Sequence, residues 1–169
     1  MLPNLKTILY ATDLGHHAPA AFRYALSLAH KYEARIHVVH AVEPLSAQTR
    51  RIVELYVHPD AKPDVEEERL ARVREAMAQR LRERSEELPV CNDRGECLVV
   101  DCQVVSGKPA DVVLEEARRI GADVIVMGSH GHSTVGDVLL GSTAHRVLQK
   151  ATVPVLLVRL KEGDAQDAV

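Results

Sequence analysis

The sequence predicts a single-domain α/β fold, a doubly wound parallel sheet with helices on both faces. Three observations carry this. Five short apolar runs are rich in Val and Ile. Amphipathic helical patterns separate them, and strands alternating with helices imply a parallel sheet. Aromatic residues are only 3% of the 169 residues, with no Trp and one Phe, so the core must be aliphatic. An aliphatic core suits a sheet buried on both faces, and the length suits one domain with a sizeable core.

The first strand is KTILYAT, residues 6–12. A helix follows over 18–32, where Phe22, Ala25, Leu26, Ala29 and Tyr32 recur at helical spacing and Pro19 suits the first turn. RIHVVHAV (35–42) is the second strand. Residues 43–64 form an irregular excursion in which IVELY could make a helical turn. Over 65–88, Leu70, Val73, Met77, Leu81 and Leu88 form one apolar stripe in a field of Glu and Arg. That charge reads either as a partner-binding surface or, more plainly, as the solvated face of a core helix. CLVVDCQVV (97–105) is the third strand, and Pro109 opens a helix that Gly121 closes, with Val113, Ala117 and Ile120 inward. DVIVMG (123–128) is the fourth strand, a helix runs from Ser142 to about Lys150, and VPVLLVRL (153–160) is the fifth strand. Residues 1–160 thus read as one domain and 161–169 as a polar, frayed tail.

The formal net charge is −3, which offers no basic face for nucleic acid, and aromatics are too few for base stacking. No apolar run approaches the roughly 20 residues needed to span a bilayer. The N-terminus lacks a secretory pattern, so a cytoplasmic location is expected. Cys91, Cys97 and Cys102 are an odd set, which argues against a disulfide framework. Cys91 and Cys97 bracket the turn-like NDRGE. A reversible disulfide there is one reading, and reduced thiols the plainer one.

The chemistry concentrates in GSHGHSTVGDVLLGST, residues 128–143, at the end of the fourth strand. In open α/β sheets, ligands bind at the carboxyl ends of strands where the strand order reverses. Glycines let backbone N–H groups approach a ligand and form an anion nest. Ser142 and Thr143 open the last helix, whose N-terminus also favours phosphate. Neither a Walker A loop nor a GxGxxG fingerprint is present, so backbone amides and hydroxyls would hold any phosphate. Asp13, at the tip of the first strand, could accept from ribose hydroxyls or help hold a metal. Alone it would read as a turn or N-cap residue, and its pairing with the glycine segment reverses that.

These residues resemble the universal stress protein family. Gly128-x2-Gly131-x9-Gly141-Ser142 matches that family's nucleotide-binding signature, and KTILYATDLG, HVVHAVEP, DVIVMGSHG and VPVLLVRL resemble its first, second, fourth and fifth strands. The resemblance spans about residues 4–160. It implies a Rossmann-like fold of the adenine nucleotide alpha hydrolase type, with strand order 3-2-1-4-5. It also implies ATP binding, with Mg²⁺ or Mn²⁺ accompanying the triphosphate. Carried over, Ala11, Thr12 and Asp13 would flank adenine and ribose, and Ala41 would lie against adenine. Met127, Gly128, His130 and Gly131 would line ribose and phosphates, and Gly141, Ser142 and Thr143 would hold the phosphates. Many relatives carry Arg after His-Gly, where this chain has His132. The inserts at 43–64 and 91–97 also exceed the family minimum.

His130 and His132, with His16 and His17, could make a metal site or a transferase-like pair, but the HxGH pattern of related transferases is absent. His145 reads as a surface or packing residue. No general base is placed by the sequence, so catalysis would amount at most to slow ATP hydrolysis. The function expected is a nucleotide-dependent stress-response switch acting through a regulatory protein partner. The alternative is an adaptor of the same fold whose glycine loop stays empty. The apolar edge strand 153–160 calls for cover, and both edge pairing and the resemblance imply a homodimer.

Overall fold

The structure, a computed structural model, describes residues 4–15, 18–49, 51, 65–88, 90–129 and 140–159. The elements run β1 (Thr7–Thr12), α1 (Ala18–Tyr32), β2 (Arg35–Val42), α2 (Val65–Glu87), β3 (Val99–Ser106), α3 (Pro109–Ile120), β4 (Val124–Gly128), α4 (Ser142–Lys150) and β5 (Val155–Val158). The strands form one five-stranded sheet in the order β3-β2-β1-β4-β5, and every neighbouring pair is parallel. The expected fold class and strand order are thus those observed.

Each strand sends alternate side chains to opposite faces, which makes two cores. Ile8, Tyr10, Ile36, Val38 and Val126 pack under Phe22 and Leu26 of α1 and Leu70 and Met77 of α2. Leu9, Val39, Ile125 and Met127 pack under Val113 and Ala117 of α3 and Ala144 and Val147 of α4. On α2, Leu70 and Met77 are buried while Val73 and Leu88 pack at the margin, so its Glu and Arg residues cover a core stripe. The side chain of Leu81 lies outside the described residues.

The termini follow local chemistry. Gly121 takes φ 63° and closes α3 by donating to Arg118, while Ala122 donates to Ala117; glycine adopts that left-handed cap without strain. The carboxylate of Asp123 accepts from the backbone N–H groups of Lys6 (2.7 Å) and Thr7 (2.8 Å), tying the start of β4 to the start of β1.

Two strands differ by more than one residue from the sequence reading. The fifth strand covers Val155–Val158 rather than 153–160, because Pro154 has no N–H to give the ladder and contributes only its carbonyl, to Ile125. The third strand begins at Val99 because Cys97 pairs instead with Cys91, in an antiparallel bridge. The β2–β3 register also slips: Ile36 faces Val99 but His37 faces Asp101, so Val100 is an extra residue on β3. Residues 47–49 and 51 are helical; IVELY and the rest of the 43–64 insert beyond them lie outside the described residues, as do Leu160 and the 161–169 tail.

Candidate functional site: a cleft at the strand tips

β1 leads through α1 to β2 on one side and has β4 on the other, so the strand order reverses at β1. Ala11 is the register partner of Met127, and Thr12 of His40, so three strand tips end side by side. Helix crossovers leaving in opposite directions open a crevice there. The structure has a cavity of about 630 Å³ at this position, within the roughly 300–1,000 Å³ of small-molecule sites.

Its floor comes from β1 and β4: Ala11, Thr12 and Asp13 on one side, Met127, Gly128 and Ser129 on the other. Val39 and Ala41 of β2 form one wall with Pro109 and Val113 of α3. Gly141, Ser142 and Thr143 at the start of α4 form the opposite end. The wall is apolar and the α4 end is rich in donors. That division suits a ligand with a flat apolar part and an anionic part.

The β1 tip is shaped by its own side chains. Thr12 Oγ1 accepts from Leu14 N–H at 3.0 Å, and Asp13 Oδ1 accepts from Gly15 N–H at 2.9 Å. Leu14 is held at φ 60°, a conformation costly for a non-glycine residue. Tyr10 Oη donates to the carbonyl of Ala18 at 2.7 Å, fixing the start of α1 against β1. Asp13 therefore makes the turn and also lines the cleft.

The α4 end is built from backbone. Gly141 is the N-cap, extended at φ −67° and ψ 151°, and it offers no side-chain cap. No acidic residue occupies the first turn. The first N–H groups of a helix lack intrahelical partners and carry the positive end of its dipole. With neither a capping oxygen nor a carboxylate competing, this end suits phosphate. Gly141 N–H donates to the carbonyl of Ser129 at 2.8 Å, and Ser129 N–H donates to Val158 at 2.9 Å.

Of the residues singled out in the sequence, Ala11, Thr12, Asp13, Ala41, Met127, Gly128, Gly141, Ser142 and Thr143 line this one cleft. His130, Gly131, His132, His16 and His17 lie outside the described residues. His145 is exposed on α4, as a surface residue should be. Sequence reasoning missed Val39, His40, Ser129 and Pro109. His40 could have been found from register, since its Nδ1 lies 2.8 Å from the carbonyl of Thr12. Ser129 is 5% exposed, the one buried polar residue among those described, and its position right after β4 was the available signal. Among the described residues, no three His, Cys, Asp or Glu side chains gather as a metal site, and no helix is long and apolar enough to cross a membrane.

Known proteins agree with this architecture. The family model described as the universal stress protein family matches residues 4–159. A universal stress protein of Thermus aquaticus is 36% identical over 162 residues, covering 91% of this chain and 98% of that one. Universal stress protein MJ0577 of Methanocaldococcus jannaschii is 26% identical over 158 residues, covering 94% and 97%. The solved structure of MJ0577 superimposes with a TM-score of 0.70, covering 95% of this chain and all of that one. A universal stress protein solved in complex with cAMP shares the fold at a TM-score of 0.59 and 22% identity, covering 93% and 98%. With the strand order, the glycine-led helix and a family match spanning nearly its whole length, the chain belongs to the universal stress protein family.

Proposed function

We propose that this protein binds ATP in the cleft at the strand tips and acts as a nucleotide-dependent regulator through a protein partner in the cytoplasm. One observation carries the reading. The β1 tip Ala11-Thr12-Asp13 and the glycine-capped start of α4 line the same cavity of about 630 Å³. In this reading adenine lies against Ala41 and Val39, and Asp13 accepts from the ribose. The phosphates take the N–H groups and hydroxyls of Ser142 and Thr143, with Gly128, His130 and Gly131 closing on them from β4. A divalent ion, Mg²⁺ or Mn²⁺, would be held by the phosphates and at most one carboxylate, that of Asp13. Mg²⁺ in nucleotide sites commonly binds this way. A protein of the same fold solved with cAMP supports an adenine nucleotide by analogy of scaffold.

Regulation requires that ATP bind two states unequally. The segments that would differ are 128–142, which joins β4 to α4, and the 43–64 insert after β2. A second copy of the chain, pairing along β5, would cover the sheet's apolar edge.

The direct experiment is mass analysis of nucleotide released from the purified, denatured protein. It is paired with the thermal shift on adding Mg-ATP, which rises as RT ln(1 + [L]/Kd) for a ligand of the folded state. ATP in the extract and an upward shift are expected. An empty extract with no shift overturns the binding reading in favour of an adaptor. Unchanged hydrogen exchange in 43–64 and 128–142 at saturating ATP overturns the switch. A monomer in sedimentation at micromolar concentration overturns the dimer.

A further inference from the structure

The hairpin between α2 and β3 sits at the amino-terminal end of β3, away from the cleft at the strand tips. Its sequence is Cys91-Asn-Asp-Arg-Gly-Glu-Cys97. Asn92 and Gly95 close the turn, with Gly95 N–H donating to the Asn92 carbonyl at 2.8 Å and Gly95 at φ 77°. Three-residue hairpin loops use a glycine in this conformation to restore strand register. Asn92 Oδ1 accepts from the N–H groups of Arg94 (3.0 Å) and Glu96 (2.9 Å). Asn92 Nδ2 donates to the Glu96 carboxylate at 3.0 Å, and Arg35 binds that carboxylate at 3.2 Å and the Cys97 carbonyl at 2.9 Å. The turn is therefore fixed from inside by Asn92 and anchored to β2 by Arg35.

Cys91 and Cys97 are the bridge partners of this hairpin. The ladder bonds fall on either side of them, Asn92 N–H to Glu96 (2.9 Å) and Leu98 N–H to Val90 (2.8 Å). That makes Cys91 and Cys97 a non-hydrogen-bonded antiparallel pair, the kind whose Cα atoms lie about 4.5 Å apart. A disulfide takes Cα separations of about 4.4–6.8 Å. Both thiols are unbridged and exposed.

We propose that Cys91 and Cys97 are a redox-active dithiol that closes to a cross-strand disulfide on meeting a small-molecule disulfide such as oxidised glutathione. One thiolate attacks a sulfur of glutathione disulfide, forms a mixed disulfide and releases one glutathione thiolate. The second thiolate attacks the protein sulfur of that mixed disulfide, forms the Cys91–Cys97 bond and releases the second glutathione. Two protein thiols lose two electrons and two protons, and one glutathione disulfide becomes two glutathione thiols. The Cys97 thiol, which donates to the Val99 carbonyl at 3.1 Å in the reduced form, gives up that contact and turns toward Cys91. Cys102 stands apart from the reaction. Although Cys102 is exposed as well, partial desolvation of its sulfur, with the charge of Asp101 and nearby Cys97 adding to it, pushes its thiol up to about 11, and a thiol without thiolate is a poor nucleophile.

The test equilibrates the folded chain in glutathione redox buffers, quenches with alkylating agent and digests with a protease that cuts before aspartate. Cleavage before Asp93, Asp101 and Asp111 puts each cysteine on its own peptide. The expected product is a linkage between the peptide ending at Asn92 and peptide 93–100, with a loss of two hydrogens, in wild type and in Cys102→Ser alike. Asn92→Ala, which loosens the hairpin, should lower the equilibrium constant for ring closure about tenfold. A Cys97–Cys102 linkage, disulfide-linked dimers as the main product, or mixed glutathione adducts that never close would each overturn the proposal. So would an Asn92→Ala variant that closes as readily as wild type.

Discussion

The backbone N–H of Gly141 donates to the carbonyl of Ser129 at 2.8 Å, so the chain that leaves β4 returns to its departure point before α4 begins. Ser129 is itself anchored to Val158 of β5 at 2.9 Å. The two glycine-bearing ends of the 128–143 stretch are thereby held to one another by main chain alone. A phosphate at the start of α4 would meet a rim already fixed to the sheet.

Substituting Gly141 with Leu tests that rim. Its φ of −67° suits any residue, and Gly141 lines the cleft beside Ser142 and Thr143, so a bulky side chain there is expected to crowd the ligand rather than strain the backbone. The apo melting temperature should change by no more than a degree or two, while the Mg-ATP shift disappears. A preserved shift would move the phosphate site elsewhere.

Asp13 separates turn from ligand. Asp13→Asn keeps an Oδ1 acceptor for Gly15 N–H, whereas Asp13→Ala loses it. In urea unfolding, Ala should sit about 1.5–3 kcal/mol below wild type, the worth of one hydrogen bond to a charged acceptor, with Asn in between. Both variants should weaken Mg-ATP binding in calorimetry. If Asn binds as well as wild type, the carboxylate charge plays no part in the site.

Gly107 is required by packing rather than by the ligand. A Cβ there would lie 2.7 Å from Val112 Cγ2, closer than real contacts allow. Gly107→Ala should cost about 1–3 kcal/mol, the range of overpacking in a filled core. Adding Val112→Ala should recover part of that loss in a double-mutant cycle, and simple additivity would refute the clash.

Asp123 ties two strands through one carboxylate, accepting from Lys6 and Thr7 N–H groups at 2.7 and 2.8 Å. Hydrogen bonds to a charged acceptor are worth about 1.5–3 kcal/mol. Asp123→Ala removes two such bonds and should lower stability by at least that amount, with Asn in between. A neutral Ala variant would mean that water replaces both bonds.

Cys102 gives a pH dependence. Its folded thiol, on an exposed residue of β3, is raised to about 11, chiefly by partial desolvation. The unfolded thiol then loses its proton first as pH rises, so stability held below about pH 9 declines toward pH 11. Cys102→Ser should flatten that decline. Alkylation of Cys102 in the folded chain should run slower than that of Cys91 and Cys97 at pH 8, and equal rates would contradict the shift.

The fold was legible because periodicity and punctuation agree in this chain. Pro109 and Gly121 mark α3 to the residue, and the apolar runs are too short and too β-branched for helices. Much of the site was legible because it belongs to strand tips and a helix start, both one-dimensional features. What was missed depends on neighbours in space. His40 meets Thr12 only through parallel register, Val39 and Pro109 become one wall only after the sheet twists α3 over it, and Ser129 gains its place from β5. The fifth strand was drawn too long because hydropathy registers Val153 and Pro154 as apolar, whereas ladder formation needs an N–H that Pro154 lacks.

The extra residue at Val100 makes the two margins of the sheet unlike one another. β5 presents a regular margin, while β3 is interrupted opposite Ile36 and His37 and preceded at once by the hairpin of Cys91 and Cys97. A strand adding along β3 would lose register at that irregularity. Stacking chain upon chain needs two regular margins, and the β3 side carries an irregularity that the β4–β5 ladder lacks. Were copies of the chain to pair along β5 as proposed, the irregular β3 margin would give a further strand no matching edge to extend the sheet.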